Sequence, residues 1–252
     1  MKKIKLYSIY TDEESILKDV FLKTIKDNWE LNICHWGKLG RNNGDWGTPE
    51  FIALMRRRVE HLVGVIEKEQ GETIIWSDID IQFFGKCTDL IERALADKEI
   101  VFLSEHWPKK EVSAGFVAIR CNPKTLLFYK SVLKTDFEKL SYHDQSAVNN
   151  ILTENAIGIK WDILPSQFWA MSHSEFPPLD IVLHHANVTF PCVKDGRTVG
   201  SVEQKIEQIK KIRQYILRRR RRKWLSHIKV MVKKRFPDQF LFTLKNIKMR
   251  KK

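Results

Sequence analysis

The sequence predicts an α/β protein built on an open, largely parallel sheet. Two observations carry this. Short apolar runs rich in β-branched and aromatic residues alternate along the chain with longer segments of helical period. Alternation of that kind implies strands joined by crossover helices. In addition, several apolar runs close on polar residues: Tyr10-Thr11-Asp12, Asp78-Ile79-Asp80 and His184-His185. In an open α/β sheet the carboxyl ends of the strands converge on the ligand, so these three closures are expected to meet. With 43% hydrophobic residues the chain has ample material for a core.

The elements follow in order. Lys3–Tyr10 alternates and reads as the first strand. Thr11-Asp12 opens a helix to about Asn28, with Ile16, Val20, Phe21 and Ile25 at helical spacing. Leu31–Trp36 is a second strand, and Gly37–Gly47 is a loop rich in Gly and Asn. Thr48-Pro49 is a cap followed by proline at the first helical position, so a helix runs to about Lys68 and Gly71 stops it. Thr73–Phe84 reads as a buried strand. Asp89–Ala96, Pro123–Leu133 and Asp144–Thr153 read as helices, and Glu99–Ser104, Ala114–Arg120, Ile157–Leu164 and Ile181–His185 as strands.

The stretch Thr73–Phe84, TIIWSDIDIQFF, carries the chemistry. Strand alternation would point Asp78 and Asp80 the same way, about 7 Å apart. Two carboxylates at the end of a buried strand repel each other and are costly to desolvate, and a hard cation relieves both penalties. Mg²⁺ and Mn²⁺ are commonly held by one or two carboxylates plus substrate phosphates. The pair therefore reads as a metal site for a nucleotide diphosphate; the plainer alternative is a solvated strand end. A late histidine would supply a third ligand as neutral imidazole. Only one of His184 and His185 can face the metal by alternation, and His185 is favoured.

Ser113-Ala114-Gly115 opens a strand with small residues, which let a ligand approach the backbone closely. Tyr142-His143-Asp144-Gln145 leads into a helix, and Ser141 with Asp144 is also a capping pattern. Of Arg56, Arg57 and Arg58, one is expected to reach a diphosphate, for which the guanidinium's paired donors are suited; Arg57 is taken as that residue.

The order of these motifs over about residues 1–190 resembles the nucleotide-diphospho-sugar transferases, close to the retaining glycosyltransferases with the GT-A fold. The resemblance rests on the strand ending Tyr10-Thr11-Asp12, then WSDIDIQFF, SAGFVAIR, HDQSAVNNIL and LHHAN. It implies a GT-A-like, Rossmann-type sheet flanked by helices. It also implies transfer of a sugar, with retention, from a nucleotide-diphosphate sugar, a UDP-sugar favoured, to a glycan or lipid-linked glycan. By that resemblance Asp80 and His185 would bind Mn²⁺ (or Mg²⁺), with Asp78 sharing the metal or meeting the ribose. Tyr10, Thr11 and Asp12 would lie near the nucleoside. Ser113, Ala114 and Gly115 would line the donor sugar, and Asp144 and Gln145 would sit beside the transferred sugar as the catalytic pair. The late histidine is not followed by the Gly-x-x-Lys-Pro-Trp block of one branch, and Asn187 or Lys194 is the expected substitute grip on the diphosphate.

The net charge of +13 is unevenly placed: residues 201–252 carry +16 and residues 1–200 carry −3. This divides the chain into a catalytic domain, 1–200, and a basic helical tail, 201–252. Ile206, Ile209, Ile212 and Ile216 are spaced to pack, and Arg218–Lys223 follows, with Trp224, Leu225, Ile228 and a second patch at Phe240–Leu244. Basic residues interleaved with large apolar ones describe a helix on an anionic membrane surface and argue against nucleic acid. No apolar run reaches the roughly 18 residues of a spanning helix. Acidic residues follow the first strand where an export signal would be apolar, so a cytoplasmic enzyme peripheral to the inner face of the membrane is expected. The four cysteines lack metal-ligand spacing. A nucleotidyl- or phosphotransferase is the alternative enzyme, although Ser8–Asp12 shows no Gly-rich phosphate loop. An RNA-binding or scaffold protein acting through its tail is the non-enzymatic one.

Overall fold

The computed structural model describes residues 3–38, 48–139, 143–170, 176–187, 192–194 and 197–235. Most of the Gly37–Gly47 loop, Ser141, Tyr142 and the Phe240–Leu244 patch fall outside them. The elements are β1 (Lys5–Tyr10), α1 (Ser15–Thr24), β2 (Glu30–His35), α2 (Pro49–Lys68), β3 (Thr73–Ser77), β4 (Ile81–Phe83), α3 (Thr88–Leu95), β5 (Ile100–Ser104), β6 (Val112–Arg120), α4 (Pro123–Lys134), α5 (Asp144–Glu154), β7 (Trp161–Ile163), β8 (Phe168–Ala170), β9 (Leu183–His185), β10 (Cys192–Lys194), β11 (Arg197–Val199) and α6 (Ser201–Arg235). By compactness the chain divides into Met1–Ile209 and Lys210–Lys252.

A six-stranded sheet in the order β2-β1-β3-β6-β5-β7 forms the centre. β1 runs parallel to β2 and β3, and β5 parallel to β7; β6 alone is antiparallel to its neighbours. The period-2 pleat sends alternate side chains to two separate cores. Ile74 and Trp76 of β3, with Ile100 and Phe102 of β5, pack with residues of α2, α4 and α5. Ile75, Val101 and Leu103 pack on the other face with residues of α1 and α3.

The helix starting at Pro49 follows its local signals. Thr48 is extended, and its hydroxyl accepts a hydrogen bond from Phe51 N at 3.2 Å. The first helix is shorter than its apolar spacing suggests. A one-turn 3-10 helix, Asp12–Glu14, precedes α1, and Ile25 turns extended to end it. The Thr24 hydroxyl helps fix that end by donating to Val20 O at 2.9 Å and accepting from Phe83 N at 3.1 Å.

The expected single strand Thr73–Phe84 is two strands in two sheets. β3 stays in the central sheet, while β4 pairs antiparallel with β9 in a three-stranded sheet ordered β4-β9-β8. Asp78-Ile79-Asp80 is the bend between them, so its carboxylates converge through a turn of the backbone and not through a pleat. The bend is pinned at both ends: Asp78 N donates to Gly115 O at 2.7 Å, and Ala186 N donates to Asp80 O at 3.1 Å. Ile79 is buried between them, which is why the stretch reads as one apolar run. The register Ile81↔His185 then sets the late histidine beside the bend.

Candidate metal and nucleotide site

At the carboxyl end of β3, Asp78, Asp80 and His185 offer ligand atoms that all lie within 4.8 Å of one another. His185 Nε2 is 3.2 Å from Asp80 Oδ1 and 3.8 Å from Asp78 Oδ2. His184, by contrast, turns into the protein. It stacks on Trp169 with ring centroids 5.3 Å apart, and its Nδ1 lies 2.9 Å from Gln82 Nε2. Burial pushes the His184 pKa down to about 3, as expected of a neutral core imidazole.

The residues fit a divalent cation. Two carboxylates and an imidazole converge on one point with hard-cation donor chemistry. Among the described residues, His185 Nδ1 is buried without a hydrogen-bond partner, the condition of a group awaiting a further ligand. Burial works against the charge on Asp80, but Lys205 and His185 outweigh it and hold its carboxyl well below the usual range. Burial raises the pKa of Asp78 despite the opposing pull of Arg58.

The glycine of Ser113-Ala114-Gly115 is needed for this arrangement. A Cβ on Gly115 would sit 2.9 Å from both ring nitrogens of His185. The close approach foreseen at this glycine is therefore made by the histidine ring. Ser113 and Ala114 are buried in β6, the Ser113 hydroxyl accepting from Gly115 N at 3.4 Å.

Two cations flank the carboxylates. Arg58, 7% exposed, reaches Asp78 Oδ1 at 3.0 Å and Asp144 Oδ2 at 3.5 Å, and donates to Ala114 O at 2.6 Å. Lys205 Nζ, from the start of α6, lies 2.6 Å from Asp80 Oδ2. Arg57 is exposed and stacks on Trp36, 4.3 Å from the ring centroid, while Arg58 of the same triplet lies among the carboxylates. Helical period explains the choice, since Arg58 shares the buried face of α2 with Leu62, Val65 and Ile66.

The remaining residues lie on either side. Tyr10 stacks on His35 at 4.7 Å, and Asp12 Oδ1 is 2.6 Å from His35 Nε2, forming a partly exposed aromatic platform at the end of β1. Thr11 is buried; its N–H and hydroxyl donate to Glu14 Oε2 at 3.1 and 3.2 Å. Asp144 is the buried first residue of α5. Gln145 Oε1 accepts from Ala114 N at 3.3 Å, so its carbonyl is partly engaged. A polar cavity of about 450 Å³ opens beside it, lined by Lys110, Glu111, His143, Gln145, Ser146 and Asn149. Asn187 donates to Glu105 at 3.0 Å and is not directed to a diphosphate by that bond. The Lys194 side chain lies outside the described residues.

Residues 19–190 match the family model of the nucleotide-diphospho-sugar transferases. The chain belongs to that family. Among solved structures, this transferase is similar to a glycosyltransferase involved in glycosylation of the major capsid of PBCV-1. The TM-score is 0.55 at 14% identity, covering 82% of this chain and 98% of that one. It is also similar to the glycosyltransferase GlyE of Streptococcus pneumoniae TIGR4, with TM-score 0.52 and 14% identity over 81% of this chain and 60% of GlyE. These likenesses establish the GT-A-type fold. No curated protein matches the sequence.

Sequence reasoning named Arg58 only as one of a triplet, and missed Lys205. The α2 apolar face could have singled out Arg58 within its triplet; nothing local to α6 marks Lys205, whose partner is distant in sequence. Gly115→Ala is expected to drive the His185 ring from its place. It should cost about 1–3 kcal/mol of stability by overpacking and weaken any binding of a divalent cation, with Mn²⁺ as the probe. Urea denaturation and metal titration check both; unchanged values would mean the glycine is incidental.

Proposed function

We propose that this transferase is a metal-dependent glycosyltransferase that moves a sugar from a nucleotide-diphosphate sugar to a glycan or glycolipid acceptor. The observation that carries the reading is the convergence of Asp78, Asp80 and His185 at a strand end. These three would hold Mn²⁺ or Mg²⁺. When bound, the ion would neutralise the donor's diphosphate and improve it as a leaving group. The Tyr10–His35 platform, with Asp12 beside it, suits the flat face of a nucleobase, and the donor would then run across the carboxylates towards α5. A UDP-sugar is the donor we favour.

In this reading Asp144 and Gln145 flank the transferred sugar. Asp144 is held by Arg58 and buried, which suits a residue that orients hydroxyls rather than a covalent nucleophile. The Gln145 amide borders the polar cavity, and its bond to Ala114 N is long enough to be exchanged for a contact with a sugar passing through an oxocarbenium-like state. Retention would follow if the acceptor hydroxyl attacks from the side of the departing diphosphate. The neighbouring cavity, lined with amide, ammonium and carboxylate groups, is suited to a sugar acceptor.

The basic tail supports a peripheral membrane location. No helix among the described residues is long and apolar enough to cross a membrane. Within Lys210–Lys252, Leu217, Trp224 and Leu225 are exposed beside Arg218–Lys223. Exposed apolar side chains next to fixed positive charge suit the anionic inner face of a membrane, where each basic residue contributes about 1 kcal/mol. A lipid-linked glycan of lipopolysaccharide or capsule type would be presented at such a surface.

Two measurements test these readings. In a thermal-shift screen of UDP, GDP, CDP and ADP, one nucleotide is expected to stabilise the protein only with Mn²⁺. The gain should approach about 2.7 kcal/mol at a hundred times its dissociation constant, and Asp80→Ala should abolish it; no shift with any nucleotide would contradict the donor site. In vesicle co-sedimentation, the full chain is expected to bind phosphatidylserine-containing vesicles in a salt-sensitive way. Combined Leu217→Ser, Trp224→Ser and Leu225→Ser should release it; equal binding to neutral vesicles, or none, would remove the membrane role.

A further inference from the structure

The two carboxylates of the cation site are already paired. Arg58 sits on Asp78 at 3.0 Å, and Lys205 sits on Asp80 at 2.6 Å. The two cations differ in how they are held. Arg58 is also anchored by Ala114 O and Asp144, so its charge is part of the packed core. Lys205 reaches in from α6, and its side chain is 24% exposed while that of Asp80 is 4% exposed. The other acidic groups acting on Lys205 are Asp78 and Glu14, whose carboxylate accepts from the Thr11 N–H and hydroxyl.

Asp80 divides its oxygens: Oδ1 faces His185 and the ligand cluster, and Oδ2 faces Lys205. A divalent ion bound at Oδ1 would therefore share one carboxylate with a fixed ammonium. Like charges a few ångströms apart in a partly buried site repel strongly. A nucleoside diphosphate changes the balance, because its phosphate oxygens bring negative charge that offsets the ion, Lys205 and Arg58 together.

We infer that Lys205, by pairing with Asp80, keeps the site from holding a divalent cation on its own, so that cation and nucleoside diphosphate are taken up together. The inference rests on the proposal that Asp78, Asp80 and His185 hold the cation. It makes Lys205 a positioning residue that sets the order of loading. An enzyme built this way would not retain its metal between turnovers, and the departing nucleotide would carry the ion out. The start of α6, which supplies Lys205, is thereby part of the donor site.

The test is a titration of the full chain with Mn²⁺ alone, followed by calorimetry and by the loss of the free-ion electron paramagnetic resonance signal. Wild type, Lys205→Met and Lys205→Arg are compared. Lys205→Met removes the charge while keeping much of the length, and is expected to bind Mn²⁺ about tenfold tighter or more than wild type; Lys205→Arg should stay close to wild type. Equal or weaker binding in Lys205→Met overturns the inference. Should that variant not fold, Lys205→Gln takes its place. Wild type alone gives a second readout: Mn²⁺ should bind much more tightly in the presence of the stabilising nucleotide than without it. Tight binding of Mn²⁺ to wild type without nucleotide sinks the inference and leaves the cation site standing. No Mn²⁺ binding by any variant, with or without nucleotide, sinks both.

Discussion

The structure depends on burying like-charged carboxylates beside one another without leaving them uncompensated. Buried Asp80 and Asp144 gather with half-buried Asp78 near the end of β3, where repulsion is strong. An uncompensated buried charge costs several kcal/mol. The fold meets this with cations from two different places. Arg58 comes from the middle of α2, on its core-facing side, and Lys205 comes from the start of the C-terminal helix. α2 and the first turns of α6 are thus tied by charge to the centre of the sheet, as well as by the apolar residues they bury there.

That constraint also explains the local architecture. The backbone bends at Asp78-Ile79-Asp80, and the bend sends the chain from the central sheet into the smaller one, whose β9 carries His185. β4 then pairs with β9 so that His185 closes the cluster, and Gly115 on β6 leaves room for its ring. β6, the antiparallel strand of the central sheet, supplies three of the contacts: Gly115 O to Asp78, Ala114 O to Arg58 and Ala114 N to Gln145. A single strand start therefore positions Asp78, Arg58 and Gln145 together.

What could be read from sequence divides along the range of the interactions. The helix at Thr48-Pro49 and the choice between α and β along most of the chain follow from local signals, and the structure has them within a residue or two at several boundaries. The α/β class follows from alternation. The break in Thr73–Phe84 was hidden because Ile79 is as buried as the strands on either side. β8, β10 and β11 have three residues each, too few to show a period. Arg57 was preferred over Arg58 because a triplet of arginines offers no contrast unless the buried face of α2 is phased first. Lys205 belongs to a stretch whose charge pointed outward to a membrane, yet its ammonium turns inward to Asp80; composition assigns a charge to a region, not to a partner. The charge-based boundary after residue 200 and the compact boundary after Ile209 differ for the same reason. Gln82 Nε2 donates to Ile209 O at 3.0 Å, and Gln208 donates to Asn187 O at 2.9 Å, so the first turns of α6 belong with the sheet.

A cation bound at Asp78, Asp80 and His185 would be held jointly by carboxylate and imidazole, and that coordination can be observed directly. Electron spin-echo envelope modulation of Mn²⁺ bound with nucleotide should show modulation from a directly coordinated imidazole nitrogen, absent in His185→Ala. Phosphorus coupling from the diphosphate should be present in the same spectrum. Phosphorus coupling without nitrogen, unchanged by His185→Ala, would contradict joint coordination by carboxylate and imidazole: the ion would then be held without His185, and the third corner of the cluster would be structural.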